Sequence, residues 1–189
     1  HLLDQFSPMP DRQDAICLVQ PKGRIRLERV SYAYLSREND QPHSVLHHID
    51  LVLEPNKLVV LIGPSGSGKS TLLKLLLRMM DPTEGTLFFD EIPYQNIQLK
   101  SLRQQIAVMM QRNHVFSGTL RTHFFIPGQD IDDQKIWNAL ELVAMADYVK
   151  QLPQELDSPL KEDGLNLSGG QRARLDLART FLLDSPVLL

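Results

Sequence analysis

Residues 63 to 70 read Gly-Pro-Ser-Gly-Ser-Gly-Lys-Ser, with Gly63 and Gly68 five apart and a Lys and a hydroxyl directly behind them. That spacing builds an anion cradle. Gly66 and Gly68 let successive backbone N–H groups turn inward, and the helix expected to follow offers its unpaired N–H groups and partial positive charge to the same anion. Lys69 is placed to reach the outer phosphates of a nucleotide, and the Ser70 hydroxyl to ligate Mg2+. Gly63, Pro64, Ser65, Gly66, Ser67, Gly68, Lys69, Ser70 and Thr71 are thus the candidate phosphate-binding set. A glycine turn with an incidental Lys is the competing account. At average residue usage such a match arises by chance in about one percent of chains this long, before its flanks are considered.

A second string, Leu167-Ser-Gly-Gly-Gln171, precedes Arg172-Ala-Arg174 and an amphipathic run. Ser168 and Gln171 stand three apart, as in a capping box, so one reading is simply a well-made helix start. The adjacent Gly169 and Gly170 cost helix stability there. They gain a purpose if another molecule's phosphate comes close to the backbone.

These loops need elements to hold them. Leu58-Val-Val-Leu-Ile62 is apolar at every position, as expected of a central parallel strand covered on both faces, and a leucine-dense helix is expected over Thr71–Met80. Ile25–Tyr34 and Val45–Leu53 alternate at period two and predict an antiparallel layer; Gly85–Asp90 and Ile106–Met110 predict two further strands. From Ser117 to Val149 the pattern turns helical, with Ile136, Leu140 and Val143 behind the acidic start Asp132-Asp133. A last helix is expected from about Ser168 to Leu183, followed by the strand fragment Val187-Leu-Leu189. The fold class is α/β: a RecA-like phosphate-loop core with an antiparallel β layer and a helical subdomain at about 112–167.

Composition narrows the partners. The net charge is −3 and 23% of the 189 residues are charged, which argues against dedicated nucleic-acid binding. Leu58–Ile62 is the longest uninterrupted aliphatic run, far short of the roughly 20 residues of a membrane span. Cys17 is the single cysteine, which fits a reducing compartment. Residues 1–22 carry Pro8, Pro10 and Pro21 with little periodicity and read as a linker, with folded structure expected from 23 to 189.

The phosphate loop and the later Leu-Ser-Gly-Gly-Gln string, in this order, resemble the ATP-binding cassette family, in which that string is the signature motif. The resemblance covers nearly the whole chain. It implies that Tyr34, with Tyr32 as second choice, stacks on adenine; a strand-favouring aromatic is the plainer account. It implies that Gln111 is the glutamine that touches Mg2+ and the attacking water, and that Glu162 is the acid of the x-E-x-G segment of exporters. A solvated acidic loop competes for Glu162. The catalytic pair is expected to be Gln111 and Lys69, the metal ligands Ser70 and Gln111, and the nucleotide contacts the phosphate loop, Tyr34 and Ser168, Gly169, Gly170 and Gln171 of the signature.

Two departures from the family pattern matter. Where the family shows an acid followed by Gly, this chain has Asp90-Glu91. Leu87-Phe-Phe-Asp-Glu91 thereby imitates the strand that carries the Mg2+ ligand and general base. The family places that strand after the signature helix, where Val187-Leu-Leu189 begins the pattern, so the acids are expected beyond Leu189 and the 189 residues alone are expected not to turn over ATP. None of the histidines (1, 43, 47, 48, 114, 123) follows the signature, and none is assigned. Trp137 reads as a half-buried helix residue or a contact surface.

The resemblance implies ATP and Mg2+ as cofactors and an exporter-type transporter ATPase. It also implies a second nucleotide-binding domain as partner and a transmembrane domain in the same chain, which would place it on the cytoplasmic side of a membrane. Leu2–Phe6, the Pro-containing stretch and Gly23–Leu27 resemble the segment after the last exporter membrane helix. A soluble ABC ATPase acting on DNA or ribosomes would be expected to add coiled-coil heptads or basic arms. A non-hydrolysing regulatory module would lack the glutamate after the expected Asp. The transported substrate lies outside what these residues encode.

Overall fold

The computed structural model describes residues 10–35, 41–109, 115, 117–161 and 164–189. The chain forms two compact units, residues 1–106 and 107–189.

In the first unit, alternation of apolar and polar residues becomes an antiparallel sheet. Strand β1 (Ile25–Leu35) pairs with β2 (Pro42–Leu53), with Ile25 opposite Leu53 and Tyr34 opposite His43. On its other side β1 takes β3 (Glu84–Phe89), which turns into the short β4 (Ile92–Pro93), giving the order β2-β1-β3-β4. Helix α1 (Lys69–Leu76) buries Leu72, Leu75 and Leu76, and α2 (Leu99–Gln104) buries Leu102. With Ile25, Leu27, Leu87 and Phe89 these form the interior, each contributing roughly 1.5–3 kcal/mol through removal from water. The antiparallel layer follows the sequence pattern closely.

The apolar run Leu58–Ile62 does not. No strand forms there, and Leu58 and Ile62 are 93% and 90% exposed. The expected central strand is corrected on this point. A strand is held by ladder hydrogen bonds to neighbours, and the four-stranded sheet of this unit already runs from β2 to β4 without using this segment.

Residues read as linker are partly docked. Ile16 forms a parallel bridge with Ile97, its N–H donating to Asn96 O at 2.9 Å while Gln98 N–H donates to Ile16 O at 2.9 Å. Leu18 N–H donates to Ser101 Oγ, and the Asp11 carboxylate accepts from Leu99 N–H, each at 2.8 Å. Side-chain contacts of this kind, made by residues some 80 positions apart, leave no period in the sequence.

The second unit is mainly helical among its described residues: α3 (Leu120–His123), α4 (Asp133–Leu142), α5 (Ala146–Lys150) and α6 (Gly169–Phe181). The Asp132 side chain accepts from Lys135 N–H at 2.8 Å and starts α4, as the acidic pair predicts. Ile136, Leu140, Val143, Val149, Leu175 and Ala178 share one core, against which Trp137 packs half-buried. Two small ladders complete the unit, β6 (Gly118–Thr119) with β7 (Pro159–Leu160), and β8 (Val187–Leu188) with β5 (Ile106–Ala107), where Leu189 N–H donates to Ala107 O. The strand expected over Ile106–Met110 is short, and Met110 lies outside the described residues. No helix among the described residues is long and apolar enough to cross a membrane.

Candidate functional site

The phosphate loop sits where α1 begins. Gly68 is the residue before the helix and has φ of 87°, and Gly66 has φ of 82°; both conformations favour glycine. Gly68 is also crowded. A Cβ there would lie 2.7 Å from Leu46 Cδ2 and 3.2 Å from Val45 O, so β2 packs directly on the loop and any larger residue would push it away.

No side chain caps α1. Its first N–H groups therefore remain available to an anion, which is the arrangement a phosphate needs. Lys69 Nζ donates to Gly63 O and Pro64 O at 2.7 Å each and lies 3.3 Å from Ser67 Oγ, arching over the loop. Ser70 is exposed, and its hydroxyl makes no hydrogen bond to any described residue. No cluster of three or more His, Cys, Asp or Glu able to hold a metal occurs among the described residues. A Mg2+ ion here would be held chiefly by nucleotide phosphates with Ser70 as a protein ligand, and Mg2+ tolerates few protein ligands.

Tyr34 is brought to this site. Its hydroxyl lies 3.3 Å from Thr71 Oγ1 in the first turn of α1, and Lys74 Nζ sits over its ring at 5.9 Å from the centroid. Tyr32 packs edge-on against it, with centroids 4.9 Å apart, and burial raises the Tyr32 phenol above its usual range. Tyr34 thus has a hydroxyl contact and a cation–π contact with α1. Both links to α1 were invisible in the sequence, where Thr71 and Lys74 look like ordinary helix residues.

In the second unit the signature forms the start of α6. Ser168 N–H donates to Gln171 Oε1 at 2.8 Å and Gln171 N–H donates to Ser168 Oγ at 3.2 Å, a complete capping box. Gly169 and Gly170 are exposed; a Cβ on Gly170 would meet nothing within 4 Å, and one on Gly169 only Arg172 Nη2 at 3.9 Å. Neither residue lies in the left-handed region. Nothing among the described residues requires glycine at either position. Gln111 and Glu162 lie outside the described residues.

Asp90 and Glu91 occupy a turn. Both have positive φ, 45° and 68°, between β3 and β4, the backbone signature of a tight two-residue hairpin. The Asp90 carboxylate accepts from Lys22 N–H, Gly23 N–H and Arg24 N–H, at 2.5, 3.3 and 2.8 Å. Glu91 pairs with Arg24 and Arg26, and the Arg26 hydrogen bond above all holds its carboxyl below the usual range. These acids fasten the start of β1. The φ of Glu91 accounts for the glycine that the family pattern carries there.

A backbone N–H cradle at a helix start, with a lysine over it, is an arrangement suited to receive a phosphate. Residues 46–189 match the family ABC transporter. The chain belongs to that family and contains its ATP-binding domain. It is 38% identical to an uncharacterized ABC transporter ATP-binding protein of Bacillus subtilis over 95% of this chain and 30% of that protein. It is 36% identical to an ATP-dependent lipid A-core flippase of Saccharophagus degradans, over 89% of this chain and 28% of the relative. Among solved structures, a bacterial Atm1-family ABC exporter with ATP bound superposes with a TM-score of 0.84 at 29% identity, over 99% of this chain and 32% of the exporter. The chain thus spans about a third of the length of these relatives.

Proposed function

We propose that this domain binds and hydrolyses MgATP as the motor of an exporter-type transporter, on the cytoplasmic side of a membrane, joined to a transmembrane domain in the same protein. The observation that carries the reading is a pair of helix starts, α1 with no side-chain cap and α6 with exposed glycines inside its capping box. The first turn of α1 has N–H groups without a side-chain cap beneath Lys69, and α6 has two exposed glycines that no packing against the described residues requires. The former receives the phosphates of one ATP; the latter closes on the ATP held by a second nucleotide-binding domain, head to tail. The relatives that are exporters and flippases support this reading.

In this scheme Gly63–Thr71 wrap the phosphates and Lys69 exchanges its carbonyl partners for phosphate oxygens. Tyr34 carries the adenine, and Ser168, Gly169, Gly170 and Gln171 contact the partner's nucleotide. Ser70 and Gln111 would hold a Mg2+ ion, which would supply positive charge to the phosphates. Lys69 supplies further positive charge at the leaving group, and Gln111 orients the attacking water.

The test is ATP turnover by the full-length protein in mixed dimers, with Lys69→Ala on one subunit and Gly169→Trp on the other. Head-to-tail pairing puts both lesions in one composite site and leaves the other intact, so nucleotide remains trapped at one site per dimer. Loss of trapping at both sites, with each parent protein folded, refutes the arrangement.

A further inference from the structure

Tyr34 is not a free-standing platform. Its ring is fastened to the helix that carries the phosphate loop at two points: the hydroxyl against Thr71 Oγ1 at 3.3 Å, and Lys74 Nζ over the ring at 5.9 Å from its centroid. Tyr32 adds an edge-on contact, so the ring is held from three sides and remains half-buried. Thr71 is 6% exposed, and Lys74 follows it by one turn of α1, which brings both side chains to the same side of the helix.

From this we infer that Lys74 is a positioning residue for the base of the nucleotide, acting through the Tyr34 ring; the inference rests on the proposed role of Tyr34. A cation over one face of an aromatic ring is attracted to its π-cloud and fixes the ring's tilt. It also withdraws electron density, which suits the ring for stacking with an electron-rich purine. Because Lys74 and Thr71 stand on the helix that Lys69 begins, their contacts tie the base platform on β1 to the element that carries the phosphate cradle. ATP then meets two subsites whose spacing is built beforehand, which lowers the ordering cost of binding.

The role is selective, and the test exploits that. Inorganic tripolyphosphate engages the phosphate cradle without a base, so Lys74→Gln in the full-length protein weakens ATP about two- to fivefold and leaves tripolyphosphate unchanged. Lys74→Arg, which keeps a cation able to lie over the ring, restores ATP affinity. Tyr34→Phe, which loses the hydroxyl contact, falls between wild type and Tyr34→Ala. In a Tyr34→Ala background Lys74→Gln has no further effect. Equal weakening of ATP and tripolyphosphate by Lys74→Gln, an unchanged ATP affinity, or an undiminished effect without the Tyr34 ring each overturns the positioning role. If Tyr34→Ala itself leaves the ratio of ATP to tripolyphosphate affinity untouched, it is the base-platform reading of Tyr34 that fails, and the two failures are thereby told apart.

Discussion

Lys69 Nζ lies 2.7 Å from the carbonyl oxygen of Gly63, closing the phosphate loop across its own mouth with a residue six positions ahead. The ammonium satisfies its donors on Gly63, Pro64 and Ser67, all of them exposed residues. Phosphate oxygens replace these neutral acceptors by charged ones, and a charge-assisted contact of that kind is worth about 1.5–3 kcal/mol. Lys69→Ala is therefore expected to weaken ATP binding about ten- to a hundredfold in calorimetry. Unchanged affinity in a folded variant would remove the loop from the site.

The acids at the β3–β4 turn are expected to matter for folding and not for turnover. Asp90→Ala strands three backbone N–H groups that its carboxylate now satisfies, at a cost of about 1–3 kcal/mol in denaturant unfolding. Glu91→Gln should leave ATP turnover within about twofold of wild type, since exposed ion pairs contribute little. Glu91→Gly relieves a positive φ and should hold or raise stability. Abolished turnover in Glu91→Gln at normal stability would place the catalytic strand here.

His123 is fully buried in α3 and belongs to none of the sequence motifs. Burial first, and the adjacent Arg179 guanidinium second, lower its pKa from 6.5 to about 4, while Arg179 Nε donates to the His123 carbonyl at 2.9 Å. The folded state thus binds fewer protons than the unfolded state between pH 6.5 and about 4. Stability of the helical unit is fully expressed above pH 6.5 and declines as pH falls through that window, by roughly 3 kcal/mol from this group. Hydrogen exchange of α3 and α6 in the full-length protein, followed from pH 7 to 4 in wild type and His123→Gln, measures it. An equal pH dependence in both proteins would show that other groups carry the loss.

How much of this was legible beforehand depended on the range of the contacts. Period-two alternation marked β1 and β2, and the acidic pair at Asp132 marked the start of α4, because those signals are local. The glycines of the phosphate loop were legible for the same reason: their φ angles are demanded by the turn itself. Leu58–Ile62 misled because an all-apolar run reports only a preference for burial, while strand formation needs a neighbour with matching backbone groups. The docking of Asp11–Leu18 against Asn96–Ser101 and the fastening of Tyr34 to α1 escaped because they join residues tens of positions apart through single side chains. Asp90-Glu91 carried an ambiguous signal. Two carboxylates after an apolar strand serve metal chemistry or a hairpin equally well, and the positive φ values decide for the hairpin.

The two glycines of the signature give the sharpest division between stability and function. Both are exposed at the first turn of α6, neither has positive φ, and the space around each admits a methyl group. Glycine costs up to about 1 kcal/mol relative to alanine in a helix, less at a terminus, so Gly169→Ala and Gly170→Ala should each stabilise α6, by about 0.5 kcal/mol. Hydrogen exchange of the α6 amides reads that gain. In the full-length protein the same substitutions should lower ATP turnover by tenfold or more while leaving ATP affinity at the phosphate loop of the same subunit within about twofold, because in the proposed head-to-tail pairing a Cβ there stands where a partner's phosphate approaches the backbone. Ser168→Ala behaves differently. It breaks the capping box, costs about 1 kcal/mol of helix stability and lowers turnover as well. A helix made more stable and a reaction made slower by one methyl group would mark Gly169 and Gly170 as kept for a second molecule; faster or unchanged turnover in both alanine variants would show that they are not.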